Sequence, residues 1–361
     1  MTSPTETAPR RAQLVGTGLV GGSIGLALRE RGWHVTGFDR DPDRAVRAVE
    51  VGALDEIGTD DAAEIVFLAV PVSQVPEAAM KALSSKLSAV VTDVGSVKAP
   101  IVEAVDNPRF VGGHPMAGSE QEGVDGASGD LFDGAVWVLT PTEQTDTEAL
   151  MLVRDVVSSL GAQVLALPPE RHDALVAVVS HVPHLTAASL MVLAAEGAEE
   201  SGALLRLAAG GFRDMTRIAA GHPGIWPDIC TENRDAIVEA LDRLVESLTA
   251  VRSVVASGDR DGLLRVLERA RAARVNLPSR AVQAEALVEM RVPVPDRPGV
   301  IAEVTTLAGE LAVNIYDLEI AHSAEGDRGV LVMVVDESTS EAFRGALFAR
   351  GYRVAVTPLA S

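Results

Sequence analysis

Three sets of residues in this 361-residue chain have the types and spacing that chemistry requires. The first is Gly16, Gly18 and Gly21, in Gln13-Leu-Val-Gly-Thr-Gly-Leu-Val-Gly-Gly-Ser23. An apolar run precedes this G-x-G-x-x-G turn and a helical stretch, residues 23–31, follows it. In such a turn the first glycine bends the chain, the second admits a pyrophosphate, and the third lets helix and strand pack closely. The helix N-terminus then offers free N–H groups to the anion, and Leu19 and Val20 of the turn are counted with the cofactor-binding residues. Asp39 closes the next apolar run, where a carboxylate can accept from a ribose 2′-OH. With strand, helix and acid all present, the turn is read as a dinucleotide site rather than a structural βα turn. Asp39 favours NAD, because its charge repels a 2′-phosphate. Arg40 beside it pulls towards NADP, so NAD is expected and NADP is the alternative.

The second set lies in FVGGHPMAGSE, residues 110–120, where two glycines close an apolar run just before His114. Glycine at that density lets the backbone approach something closely. Histidine ionises nearest neutrality. Beside a nicotinamide it can take the proton of a hydroxyl while hydride leaves the same carbon. Ser96, in Thr92-Asp-Val-Gly-Ser-Val-Lys98, could orient that hydroxyl or the cofactor. The plainer alternative has His114 capping a turn and Ser96 capping the helix that begins near Lys98. The third set is SHVPHL, residues 180–185, with GGFRDMTR, residues 210–217. His181 and His184 lie three apart, but no neighbouring acid or cysteine completes a metal site, and none is expected. Arg213 and Arg217 flank Asp214 in an otherwise acidic protein, and arginine is suited to bidentate carboxylate recognition. A solvated surface cluster is the alternative.

These residues need elements to position them. Up to about residue 168 the chain alternates short β-branched runs (14–16, 34–39, 65–70, 90–94, 109–112, 135–140 and 164–167) with helical stretches. That alternation argues for βαβ units and a mostly parallel sheet, whose strand C-terminal ends bind ligands. From residue 170 to 283 the pattern is helical. Residues 170–200 form a long stretch that Pro183 should interrupt. Within 233–256, Ile237, Leu241, Leu244, Leu248, Val251 and Val255 form one apolar seam, which wants a partner helix within the domain or across a dimer. From residue 286 to 358 the order of elements is βαββαβ, a ferredoxin-like arrangement.

Composition narrows the function classes. Hydrophobic residues make up 47% of the chain, enough for a full core. The 51 acidic residues against 31 basic ones, a net charge of -20, argue against nucleic acid and against anionic membrane surfaces. The single cysteine, Cys230, excludes an intrachain disulfide. Residues 1–11 read as a disordered polar tail with no signal peptide, and no apolar run reaches the length of a membrane span. A soluble cytoplasmic protein is expected.

The series VGTGLVGGSIG, FLAVPV, VTDVGSVK, FVGGHPMAGSE, SHVPHL and GGFRDMTRIAAGHPGIWPDICTENRDAI resembles the prephenate and arogenate dehydrogenases of tyrosine biosynthesis, from about residue 13 to 248. The tail, with VPDRPGVIAEVTTLAGELAVNI, resembles an ACT domain. The resemblance implies a Rossmann domain (12–169), an all-α dimerisation and substrate domain (170–283) and an α+β ACT regulatory domain (286–358). It implies oxidative decarboxylation of prephenate, or of arogenate, with His114 as base and Ser96 as its partner. Arg217 would hold the substrate carboxylate and His184 would meet the side-chain end. Glu120 would gate or sense, while Asp214, Trp226 and His181 shape the pocket. Arg213 stands where relatives carry lysine. Val70 and Pro71 would line the cofactor site. Asp296, Pro298, Gly299, Asn314 and Ile315 match positions that bind an amino-acid effector, expected to be tyrosine. The competing readings are a hydroxyacid or imine reductase, and an amino-acid sensor with an inactive dehydrogenase domain. The first would not need His114 and Arg217 in this arrangement, and the second would have lost part of the site.

Overall fold

β-Branched runs too short to cover themselves must be buried between helices, and the first two-thirds of the chain folds accordingly. The computed structural model describes residues 8–85, 88–119, 121–200, 204–275, 287–295, 297–311, 313–322 and 328–358. It forms two units, Met1–Val266 and Leu267–Ser361. In the first unit β1 (Arg11–Val15), β2 (His34–Phe38), β3 (Glu56–Ile57), β4 (Ile65–Leu68), β5 (Val90–Asp93), β6 (Phe110–Pro115), β7 (Val136–Thr140) and β8 (Gln163–Ala166) make one sheet. Its order is β3-β2-β1-β4-β5-β6-β7-β8. Every neighbouring pair is parallel except β6 with β7. β4 and β5 are buried at every position, as central strands covered on both faces must be. The strand order reverses between β1 and β4, which opens a crevice at their C-terminal ends.

The helices α1 (Leu19–Glu30), α2 (Pro42–Glu50), α3 (Val75–Ser85), α4 (Ala99–Ala104) and α5 (Thr147–Ser159) follow their strands. α1 starts at Leu19, four residues before the expected Ser23, whose hydroxyl instead donates back to the Leu19 carbonyl at 2.8 Å. The N-terminal tail also ends earlier than expected. β1 opens at Arg11, and the Arg10 guanidinium lies 4.1 Å over the Trp33 ring.

After β8 the chain becomes helical: α6 (Pro169–Val176), a π-helical turn (Ala177–His181), α7 (Val182–Glu200), α8 (Gly210–Thr216), α9 (Trp226–Glu232), α10 (Arg234–Ser257) and α11 (Arg260–Val275), the last of which runs past the end of the first unit. Pro183 does not interrupt the path from Pro169. It sits in the first turn of α7, just beyond the π turn, where the wider ladder accommodates a residue lacking its N–H. The stretch Pro169–Ala198 is by length and composition apolar enough to cross a membrane, contrary to the sequence reading. It carries the buried polar residues His172, Asp173 and His181. The seam on α10 divides in two. Ile237, Leu241 and Leu244 join an apolar core with Val70, Val182 and Trp226, whereas Leu248 and Val255 are 56% and 59% exposed.

In the second unit β9 (Leu287–Pro295), α12 (Val300–Glu310), β10 (Ile315–His322), β11 (Arg328–Asp336), α13 (Glu337–Ala349) and β12 (Ala355–Pro358) form an antiparallel sheet of order β10-β11-β9-β12. This is the ferredoxin-like topology the element order predicts. Met290, Val304, Leu331 and Phe343 stand in its core.

Candidate active site

The glycine turn separates into two jobs. Gly16 has φ +92°, and a Cβ there would lie 2.3 Å from the Ala69 carbonyl oxygen. One at Gly21 would lie 2.1 Å from the Gly16 carbonyl oxygen. Both positions are glycine because the protein's own backbone fills the space. Gly18 differs: its φ is an ordinary -76° and, among the described residues, a Cβ would meet no atom within 4 Å. The space above Gly18 is therefore free for something outside the chain. No side chain caps α1, so the N–H groups of Leu19 and Val20 have no partner within the helix. Asp39, just past β2, accepts the Thr17 N–H at 2.8 Å and the Thr17 hydroxyl at 3.3 Å on Oδ2 and the Asp41 N–H at 3.0 Å on Oδ1, which keeps a lone pair for a hydroxyl. Arg40 beside it is exposed. Val70 closes on the turn, its Cγ1 3.4 Å from where a Gly16 Cβ would stand, with Pro71 exposed next to it.

His114 is not after a strand but inside one, in β6, paired with Val138 of β7. The close approach that the two glycines before it allow is to the protein's own side chains and backbone. A Cβ at Gly112 would fall 2.3 Å from the Thr140 hydroxyl, and one at Gly113 would fall 2.7 Å from the Asp93 carbonyl. They are required by the flanking strands. Asp93 then pins the loop. It accepts the Gly113 N–H at 3.1 Å and the Gly95 N–H at 2.8 Å, and it pairs with the Lys98 ammonium, both side chains being wholly buried. Burial pulls the Lys98 pKa down even beside that carboxylate. Ser96, half-buried, lies on this loop between β5 and α4. It does not cap α4: the Asp173 carboxylate does, accepting from the Lys98 and Ala99 N–H groups at 2.8 Å each.

The helices bring histidines to the same edge. His172 Nε2 lies 2.8 Å from His114 Nδ1, and His172 Nδ1 lies 2.7 Å from Asp173 Oδ1. Burial, with His172, Lys98 and His181 close by, holds the His114 pKa well below the usual 6.5. Asn233 donates through Nδ2 to the Asp173 carbonyl at 3.0 Å and to His181 Nδ1 at 3.2 Å. The proton of neutral His181 is thereby assigned to Nε2, an atom that is buried and, among the described residues, has no hydrogen-bond partner. Burial lowers the His181 pKa to about 4. Trp226 stacks on His184 at 3.7 Å and meets His181 edge-on at 6.1 Å. Burial also lowers the His184 pKa. Ser73, just past Pro71, donates to Asp228 of α9 at 2.7 Å and ties the cofactor edge to the helices.

The structure thus gathers His114, His181, His184 and Trp226. Arg213, Asp214 and Arg217 are exposed on α8 and the turn after it, with the Arg213 Nε 3.3 Å from the Ala208 carbonyl. Glu120 and Asp296 lie outside the described residues. In the second unit Pro298 and Gly299 line a cavity of about 670 Å³ at the start of α12, while Asn314 and Ile315 open β10. The sequence reading missed His172, Asp173, Asn233 and the Asp93–Lys98 pair. One signal was available: three of the seven histidines fall between residues 172 and 184.

Geometry of this kind suits removal of hydride from an alcohol carbon: a dinucleotide crevice, and beside it a buried histidine kept unprotonated. Known proteins resemble the chain that carries it. The family described as "Prephenate dehydrogenase, nucleotide-binding domain" matches residues 24–166, and "Prephenate dehydrogenase, dimerization domain" matches residues 168–269. The prephenate dehydrogenase of Bacillus subtilis is 35% identical over 88% of this chain and 90% of its own. The structure of prephenate dehydrogenase from A. aeolicus in complex with hydroxyphenyl propionate and NAD+ is 33% identical. It superimposes with a TM-score of 0.71, covering 76% of this chain and all of that one. The Synechocystis arogenate dehydrogenase structure, 34% identical, covers 73% of this chain and 98% of its own with a TM-score of 0.63. The chain belongs to the prephenate dehydrogenase family, a family of oxidoreductases.

Proposed function

We propose that this protein catalyses the NAD-dependent oxidative decarboxylation of prephenate to 4-hydroxyphenylpyruvate. The observation that carries the reading is buried His114, held neutral at the sheet edge that also carries the glycine turn. NAD, when bound at that turn, supplies the hydride acceptor. His114 takes the proton of the substrate's ring hydroxyl as hydride leaves the same carbon, and loss of the ring carboxylate then aromatises the ring. Ser96 orients the hydroxyl. His181 offers its unpartnered Nε2–H to the substrate. Trp226 and His184 form the wall at the side-chain end, and Arg217 binds a carboxylate with Asp214 and Arg213 around it. Glu120 is assigned the gating role. Asp39 selects NAD over NADP through its charge.

The exposed lower half of the α10 seam, on a segment matching a dimerisation domain, supports a homodimer in which a second copy covers Leu248 and Val255. The ferredoxin-like unit is read as an ACT domain that takes tyrosine as feedback inhibitor near Pro298, Gly299, Asn314 and Ile315, with Asp296 beside them. The enzyme would work in the cytoplasm.

The test is NADH formation from prephenate and from arogenate at equal concentration, with NAD+ and NADP+ in turn. Turnover on prephenate with NAD+ is expected. Turnover on arogenate alone would overturn the substrate assignment, and turnover on neither would overturn the function. His114→Asn is expected to lose about 10²–10⁴-fold in kcat with little change in KM, the usual worth of a positioned base.

A further inference from the structure

We infer that His172 and Asp173 act as positioning residues that set the proton tautomer of His114, and so leave its Nε2 bare. The inference rests on the reading above for the chemistry His114 performs, but its geometry stands alone. Asp173 is the fixed end. Its Oδ1 and Oδ2 each accept a backbone N–H of the α4 start, from Lys98 and Ala99, at 2.8 Å. An ionised carboxylate can only accept, so the atom 2.7 Å from Oδ1, His172 Nδ1, carries a proton. In a neutral His172 the other nitrogen, Nε2, is then an acceptor. It lies 2.8 Å from His114 Nδ1, which must donate. His114 is left with one lone-pair nitrogen, Nε2, as a general base requires.

All three side chains are buried or nearly so, with His172 at 0% exposure, so water does not compete for these bonds. The arrangement matches the logic by which a carboxylate fixes the catalytic imidazole in Ser-His-Asp enzymes, with a second imidazole interposed. When His114 Nε2 receives the hydroxyl proton, the new positive charge is felt through His172 by the Asp173 carboxylate. No other bond changes and no electrons are moved by the relay. The opposite case is chemically distinct. A His172 imidazolium would donate to His114 Nδ1 and put the His114 proton on Nε2, where it blocks base catalysis.

The full-length protein labelled with ¹⁵N-histidine separates the two. In a two-bond ¹H–¹⁵N spectrum at neutral pH, with His114 assigned by its loss in His114→Asn, the proton is expected on Nδ1. A proton on Nε2 overturns the inference, whatever the substrate. Kinetics supply the second arm. His172→Leu removes the acceptor and is expected to lower kcat by about 10²–10⁴-fold, leaving KM and NAD+ binding within about threefold. His172→Gln, whose carboxamide can accept from His114 and donate to Asp173, should keep kcat within about tenfold of the parent. Equal losses in both variants, or none in His172→Leu, would refute the relay. If wild-type protein turns over neither prephenate nor arogenate, the functional reading fails while the spectrum still decides the tautomer. If His172→Leu does not fold, the spectra of wild type and His172→Gln decide it.

Discussion

Replacing each glycine of the G-x-G-x-x-G turn by alanine divides stability from cofactor binding. Gly16→Ala places a side chain at φ +92° and drives its Cβ to 2.3 Å from the Ala69 carbonyl. The left-handed strain costs about 1–2 kcal/mol and the overpacking about 1–3 kcal/mol, together about 2–5 kcal/mol. At about 2–4 °C per kcal/mol, Tm should fall by about 4–20 °C. Gly21→Ala gains about 1 kcal/mol of helix propensity, but its Cβ meets the Gly16 carbonyl at 2.1 Å, so it too should destabilise. Gly18→Ala is the informative one. Its φ of -76° suits alanine and nothing within 4 Å opposes the methyl group, so stability should change by less than about 1 kcal/mol. The same methyl occupies the space the pyrophosphate needs, and NAD+ affinity should drop at least about tenfold, or 1.4 kcal/mol. Thermal melts without cofactor and calorimetric NAD+ titration of the three variants measure both. A Gly18→Ala protein that binds NAD+ like the parent, or melts as low as Gly16→Ala, would refute the assignment of that open space.

Two further outcomes follow from buried charge. Lys98→Met leaves the Asp93 carboxylate wholly buried with only backbone donors, which should cost about 3–5 kcal/mol in urea denaturation. The double change Asp93→Asn with Lys98→Met should recover much of that, and a single-variant loss below about 1 kcal/mol would contradict it. Acid should also destabilise the protein before its carboxylates titrate. His181 stays neutral in the fold down to about 4 while the unfolded chain protonates it at the usual 6.5, so the unfolded state binds more protons as pH falls. The stabilisation is complete above 6.5 and is lost below it, by about 2 kcal/mol at pH 5 from His181 alone, with His114 adding in the same direction. Unfolding free energies that are flat between pH 7 and pH 5 would show that these histidines are not held neutral.

The dinucleotide half of the site was legible because its signals are local. Strand, glycine turn, helix and Asp39 follow one another within 29 residues of chain, residues 11–39, and each glycine's role depends on neighbours within that βα unit or on the adjoining β4 loop. The ferredoxin-like order of the second unit was legible for the same reason, since period and turn chemistry repeat along it. The start of α1 and the passage through Pro183 were misjudged. Gly18 and Leu19 carry no side-chain cap to mark a helix start, and a π turn leaves no compositional trace.

What the sequence by itself determined is the set of elements and the two chemical centres, a phosphate cradle and a histidine at the end of an apolar run. Tertiary structure alone decided how that histidine is held. His114 and His172 are 58 residues apart, on a strand and a helix with no spacing rule between them. Asp173 caps a helix 74 and 75 residues earlier in the chain. Gly112 and Gly113 make room for neighbouring strands, which depends on β5 and β7 lying to either side. Burial is a property of packing, and it is burial that lowers the His114 pKa and keeps its hydrogen bond to His172 free from exchange with water.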